Sequence, residues 1–166
     1  PGNTCLVIDA KTGDTLRNIG SPFVDSWRDL KVTDNRIILS STKAVVAVDP
    51  KTGATIWTKE AAVEVVDVVV SESLVYFLDA PLPNLKRRRR GQARSDIRAY
   101  LVALDEPDGA EIWRAKIDLP PAHSGAILAY SRENRSLITI AGQLMICYRS
   151  TGERAWQVRL SRKEVP

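Results

Sequence analysis

The chain has 166 residues, 44% of them apolar, 27% charged and 6% aromatic, enough to bury a core as one compact unit or as a run of repeats. That balance excludes an intrinsically disordered chain, and no run of about 18 uncharged apolar residues is present to form a membrane-spanning helix. The formal charge of +4 has one source: Lys86, Arg87, Arg88, Arg89, Arg90, Arg94 and Arg98 against Asp96 contribute +6 and leave −2 for the rest, so the basicity describes a segment, not a surface built for specific nucleic acid.

The predicted elements follow in chain order. Pro1-Gly2-Asn3, without an initiator Met or a basic-then-apolar leader, reads as the start of a trimmed piece. An apolar run then ends at Asp9 and turns through Thr12 and Gly13, so residues 1–20 hold only two strands, half a unit. Residues 27–60 hold four strands, at 30–33, 36–40, 44–49 and 55–59, with turns at Asp34-Asn35 and at Asp49-Pro50-Lys51-Thr52-Gly53. Residues 61–118 hold four more, at 63–70, 74–78, 100–105 and 111–116, interrupted by a basic insertion at 81–99. Residues 122–161 hold the last four, at 126–130, 137–141, 144–148 and 154–160.

A repeat runs through these units. Leu6-Val7-Ile8-Asp9-Ala10-Lys11-Thr12-Gly13 aligns with Val46-Ala47-Val48-Asp49-Pro50-Lys51-Thr52-Gly53, with Val102-Ala103-Leu104-Asp105-Glu106-Pro107-Asp108-Gly109 and with Met145-Ile146-Cys147-Tyr148-Arg149-Ser150-Thr151-Gly152. Trp57, Trp113 and Trp156 each lie four residues after the glycine; Arg17 takes that place in the first copy, Asp108 replaces the threonine in the third, and Tyr148 replaces the aspartate in the fourth. Glycine-to-glycine spacings are 40, 56 and 43 residues, and removing about 14 inserted residues from the long one restores a period near 42, that of one four-stranded propeller blade.

Each repeated residue type has a physical reason. The Asp carboxylate accepts backbone amides two or three residues on, and the glycine supplies a positive φ at low steric cost. A Trp on the returning strand buries about 150–250 Å² between neighbouring sheets, several kcal/mol at about 25 cal/mol per Å² as an upper bound. Strands such as Ala44-Val45-Val46-Ala47-Val48 are apolar without alternation, which fits sheets covered on both faces. The expected fold class is therefore all-β, a β-propeller segment of about three and a half four-stranded antiparallel blades. Such an arc leaves sheet faces and edges uncovered unless further blades or another protein supply the cover.

The pattern apolar-Ala-apolar-Asp-x-x-Thr-Gly-x-x-x-Trp resembles the repeat of PQQ-like, or quinoprotein-like, β-propellers, a family that includes bacterial alcohol dehydrogenases and the BamB-like outer-membrane assembly proteins. The resemblance implies a bacterial, periplasmic or otherwise extracytoplasmic protein. For the dehydrogenases it implies a quinone on the propeller axis, a calcium ion held by acidic and amide side chains, a catalytic Asp and often a disulfide between adjacent cysteines. None of these carries over residue by residue. Cys5 and Cys147 fall on corresponding strands about three blades apart, too far to bond within one ring, and form no C-x-x-C pair.

The remaining candidates have structural readings. Asp9, Asp49 and Asp105 suggest metal ligands, but turn capping accounts for their spacing. His123, the single histidine, stands beside Pro120, Pro121 and Ser124 in a connecting loop, so a Ser-His-Asp set exists only through it. Asn134-Arg135-Ser136 matches the glycosylation triplet, a pattern common by chance. No G-x-S-x-G, phosphate-cradling glycine loop or H-E-x-x-H occurs. Insertion 81–99, with Lys86, Arg87, Arg88, Arg89 and Arg90, reads as a solvated excursion or a docking element for an acidic protein, anionic lipid head groups or phosphate polymers. Two functions are expected. The first is a non-catalytic protein-interaction scaffold without cofactor. The alternative is part of a PQQ- and calcium-dependent oxidoreductase whose catalytic residues lie elsewhere.

Overall fold

A computed structural model of the chain describes residues 4–20, 26–71, 73–80, 99–118 and 126–160, and every helix or strand among them is a β-strand. Strands β1 (Thr4–Ile8) and β2 (Thr15–Gly20) form a two-stranded sheet. Four-stranded sheets follow: β3 (Asp29–Val32), β4 (Ile37–Ser40), β5 (Ala44–Val48) and β6 (Thr55–Glu60); β7 (Val65–Val70), β8 (Leu74–Asp79), β9 (Ala99–Asp105) and β10 (Glu111–Ile117); and β11 (Ala126–Ser131), β12 (Ser136–Ala141), β13 (Leu144–Arg149) and β14 (Arg154–Arg159). Within each, sequential strands pair antiparallel, in the up-and-down order of a propeller blade. Innermost strands β3, β7 and β11 lie side by side. Ala99, counted above with the basic insertion, is the buried first residue of β9.

The unbroken apolar strands are explained by the three interfaces between successive sheets. In β5, Ala44, Val46 and Val48 pack towards Ile19 of the half blade, while Val45 and Ala47 pack towards Val65, Val75 and Phe77 of the following blade. In β8, Val75 and Phe77 face backwards and Tyr76 and Leu78 face forwards, onto Leu128, Leu137 and Ile146. Burial thins at both ends of the arc. Leu6, Ile8 and Leu16 on one side, and Ile127, Trp156 and Val158 on the other, are exposed.

The repeated turn forms as its chemistry requires. Asp9 Oδ1 accepts the amides of Lys11 and Thr12 at 2.7 and 3.1 Å, and Asp49 Oδ1 those of Lys51 and Thr52 at 2.7 and 2.8 Å. These bonds hold both carboxyls below the usual range. Gly13, Gly53, Gly109 and Gly152 sit at φ +77°, +74°, +72° and +85°, the left-handed region where a side chain is strained. Pairing slips by a β-bulge at the mouth of each of these hairpins.

Two departures from the consensus now have causes. Asp108 replaces Thr because its Oδ1 accepts the Ala110 amide at 2.8 Å, the bond that Thr12 and Thr52 make through Oγ1 to Asp14 and Ala54 at 3.2 Å. Tyr148, aligned above with the repeat aspartate, does not hold that place. Its turn is one residue shorter, so Cys147 opposes Trp156 as Ala47 opposes Trp57, and Arg149 follows where the aspartate stands. Tyr148 is instead a core residue, and Arg149 pairs with Glu153 at 2.7 Å across the turn.

Candidate functional site

The repeated residues converge on one structure, a dock of each blade onto the next. Trp57 on β6 donates its Nε1–H to the Glu106 carbonyl at 2.8 Å, and its ring lies flat on Gly109, where a Cβ would come within 2.6 Å of Cδ2. Trp113 on β10 repeats the arrangement on the last blade, donating to the Ser150 carbonyl at 2.8 Å and covering Gly152, where a Cβ would come within 2.7 Å. Glycine is thus needed twice, for its φ and for the absence of a side chain. In the half blade Arg17 takes the Trp position and lies against Gly53, its Cδ 3.2 Å from where a Cβ would stand.

Trp156 departs from the expectation that all three indoles are wedged between sheets. Trp57 is buried at 8% exposure, whereas Trp156 is 43% exposed. The reason is positional: it lies on β14, the last strand of the arc, and no described blade follows it. Asp105 joins its turn through the backbone, with N to Ala110 O at 2.8 Å and O from Gly109 N at 2.9 Å, and Thr151 is exposed before Gly152.

Polar ties that sequence reasoning missed reinforce the docks. Glu106, whose carbonyl holds Trp57, also accepts the Thr33 hydroxyl at 3.1 Å through Oε1. Asp67, the single charge within Val65-Val66-Asp67-Val68-Val69-Val70, accepts the Leu128 amide of the next blade at 2.7 Å and the Val68 amide at 2.8 Å. Asp79, fully buried, accepts the amides of Ala62 and Val63 at 2.9 Å and fixes the entry into its blade. Arg114 joins Asp79 at 3.3 Å and Glu111 at 3.0 Å, and Lys59 reaches Glu111 from the preceding blade at 2.9 Å. The hydrogen bonds from Arg114, with those from Lys59, lower the Glu111 carboxyl to about 2. Only Asp67 carried a sequence signal, a carboxylate in an otherwise apolar strand.

The hairpin ends also enclose a cleft of about 400 Å³ lined by Val32, Thr33, Asn35, Ser71, Glu106 and Arg132. It offers hydroxyls, an amide and opposite charges, with the Thr33 hydroxyl donating to Glu106 Oε1 at 3.1 Å. Cys5 and Cys147 are free thiols in different blades. Among the described residues no three His, Cys, Asp or Glu side chains group to hold a metal ion, and no helix is long and apolar enough to cross a membrane. His123 and the basic run Lys86, Arg87, Arg88, Arg89 and Arg90 lie outside the described residues.

Residues 98–165 match the family model described as outer membrane protein assembly factor BamB. Among solved structures, the quinohemoprotein alcohol dehydrogenase of Comamonas testosteroni superposes with a TM-score of 0.68 at 13% identity, over 93% of this chain and 32% of that one. A europium-containing methanol dehydrogenase superposes with a TM-score of 0.68 at 13% identity, over 96% and 40%. The Pan2 WD40 domain of Neurospora crassa reaches 0.61 at 16% identity, over 92% and 46%. The chain therefore spans less than half of each of these structures, and at such identities the likeness is one of fold. No curated protein matches the sequence.

Proposed function

We propose that this β-propeller segment, whose repeat resembles that of the PQQ-like propellers, serves as a non-catalytic scaffold, completed by further blades or a partner, whose loops engage other proteins. One observation carries this reading: its conspicuous side chains are engaged in joining blade to blade. Trp57, Trp113, Glu106, Asp67 and the Lys59–Glu111–Arg114–Asp79 network all span or brace sheet interfaces. The match to an outer-membrane assembly factor model supports a protein-binding role and, with it, a bacterial, extracytoplasmic setting. The basic run 86–90 would take an anionic partner.

The second reading, part of a PQQ-dependent oxidoreductase, is favoured by the dehydrogenases among the structural neighbours. Among the described residues, no three His, Cys, Asp or Glu side chains stand together as a calcium–quinone centre would need. Asp9 and Asp49 cap their own turns, Asp67 is held by two amides and Asp79 is engaged in the core, whereas calcium takes about six to eight oxygen ligands. Calcium and PQQ added to the full-length protein, in a dye-linked oxidation assay over alcohols and sugars, separates the readings. The scaffold reading expects no turnover, and oxidation would overturn it. Replacing Arg87, Arg88, Arg89 and Arg90 with Ser is expected to leave folding intact and to abolish salt-sensitive binding to a polyanionic probe such as polyglutamate.

A further inference from the structure

The cleft at the hairpin ends holds a carboxylate that the fold leaves short of partners. Its walls come from three consecutive blades: Thr33 from the β3–β4 turn, Ser71 from the end of β7, Glu106 from the β9–β10 turn and Arg132 from the β11–β12 turn. The blades on both sides of Glu106 are therefore present, and further blades would join the arc beyond β1 or β14.

Two acids are buried among the described residues, Asp79 and Glu106, and their surroundings differ. Asp79 accepts two amides and pairs with Arg114. Glu106, 9% exposed, lies at a depth where a carboxylate is costly unless it is paired and hydrogen-bonded. Its two oxygens can accept about four hydrogen bonds, yet among the described residues they receive one, from the Thr33 hydroxyl at 3.1 Å, and that hydrogen is shared with the Arg36 carbonyl at 3.3 Å. Arg36 itself turns its guanidinium onto the Asn35 carbonyl at 2.8 Å. None of the ion pairs among the described residues includes Glu106 or Arg132.

A cation is what this site lacks, and its donor set selects the kind. No three His, Cys, Asp or Glu side chains group there to hold a metal ion among the described residues, whereas one carboxylate suffices for charge-assisted hydrogen bonds from an ammonium or guanidinium. Glu106 is recessed, while Asp34 and Arg132 are exposed at the mouth. A long side chain brings its charge to that depth without burying the peptide groups of its own backbone.

We propose that this cleft takes a lysine or arginine side chain of a partner protein, its cationic head on the Glu106 carboxylate and a backbone carbonyl beside it on Arg132. This rests on the scaffold reading and names the chemistry of the partner.

NMR titration of the isotope-labelled protein tests it, with acetyl- and amide-blocked Gly-Lys-Gly, its norleucine counterpart and free glycine, read at the backbone amides of Thr33, Ser71, Glu106 and Arg132. The lysine peptide is expected to shift these amides saturably, the other two to leave them in place, and Glu106→Gln to weaken the lysine peptide about tenfold or more. Glutamine keeps an oxygen for the Thr33 hydroxyl and leaves the carbonyl that holds Trp57 unchanged, so slow exchange of the Trp57 indole N–H verifies the dock in the variant. Should the dock fail there, the comparison of the two peptides on the unaltered protein decides alone. Equal binding of the norleucine peptide, binding that survives Glu106→Gln, or no response to the lysine peptide overturns the inference. So does a response to glycine alone, which would make the cleft a site for small amino acids. Turnover with calcium and PQQ tests the scaffold reading separately, so the two failures are distinguishable.

Discussion

The same side chain has different worth at different places in the arc. Trp57 combines burial, a carbonyl partner and a glycine seat, so Trp57→Ala is expected to cost about 3–5 kcal/mol, read as a lowered urea midpoint. Trp156→Ala in the monomeric chain should cost about 1 kcal/mol or less, within the range of exposed substitutions. Gly109→Val should destabilise more than Gly13→Val at nearly equal φ, because only at Gly109 would the new Cβ meet an indole. Turn and Trp positions were legible in the sequence because Asp capping and positive φ are local properties. Glu106 was not: its part in the dock is played by a backbone carbonyl, and any residue type has one. Tyr148 was aligned with the aspartate in place of Arg149 because a one-residue shortening of a turn leaves the Thr-Gly pair in view and shifts only what precedes it.

A blade is an element with two dry faces, and its polar residues are those that join it to neighbours. Asp79 receives two part-buried amides at the entry to its blade, so Asp79→Ala removes both bonds and should cost about 1–3 kcal/mol by chemical denaturation. Glu111 is the pH-sensitive tie. Its folded pKa, about 2, lies below the ordinary 4.5, so its contribution is fully present above about pH 4.5 and is lost as pH falls towards 2. Glu111→Gln should flatten that acid limb of the stability profile and leave the neutral side without a comparable slope. The strands themselves were legible from apolar runs and turns. The ties between blades were not, because Lys59 and Glu111 are 52 positions apart in the chain and meet only through the rotation of one sheet on the next.

At the scale of the whole molecule, three interfaces of one design make an arc with two unlike ends. The two-stranded sheet of β1 and β2 was visible in the sequence as the shortage of strands before Asp9. The fate of Trp156 did not follow, because exposure depends on whether another blade stands beyond it and not on the repeat that encodes it. Indoles bonded across from blade to blade join the arc, and solvent exchange of the Trp side-chain N–H groups measures those bonds by NMR. The Trp57 and Trp113 indoles, donating to the carbonyls of Glu106 and Ser150 at 2.8 Å, should exchange slowly and Trp156 rapidly. A Trp57 indole that exchanges as fast as Trp156 would contradict that arrangement.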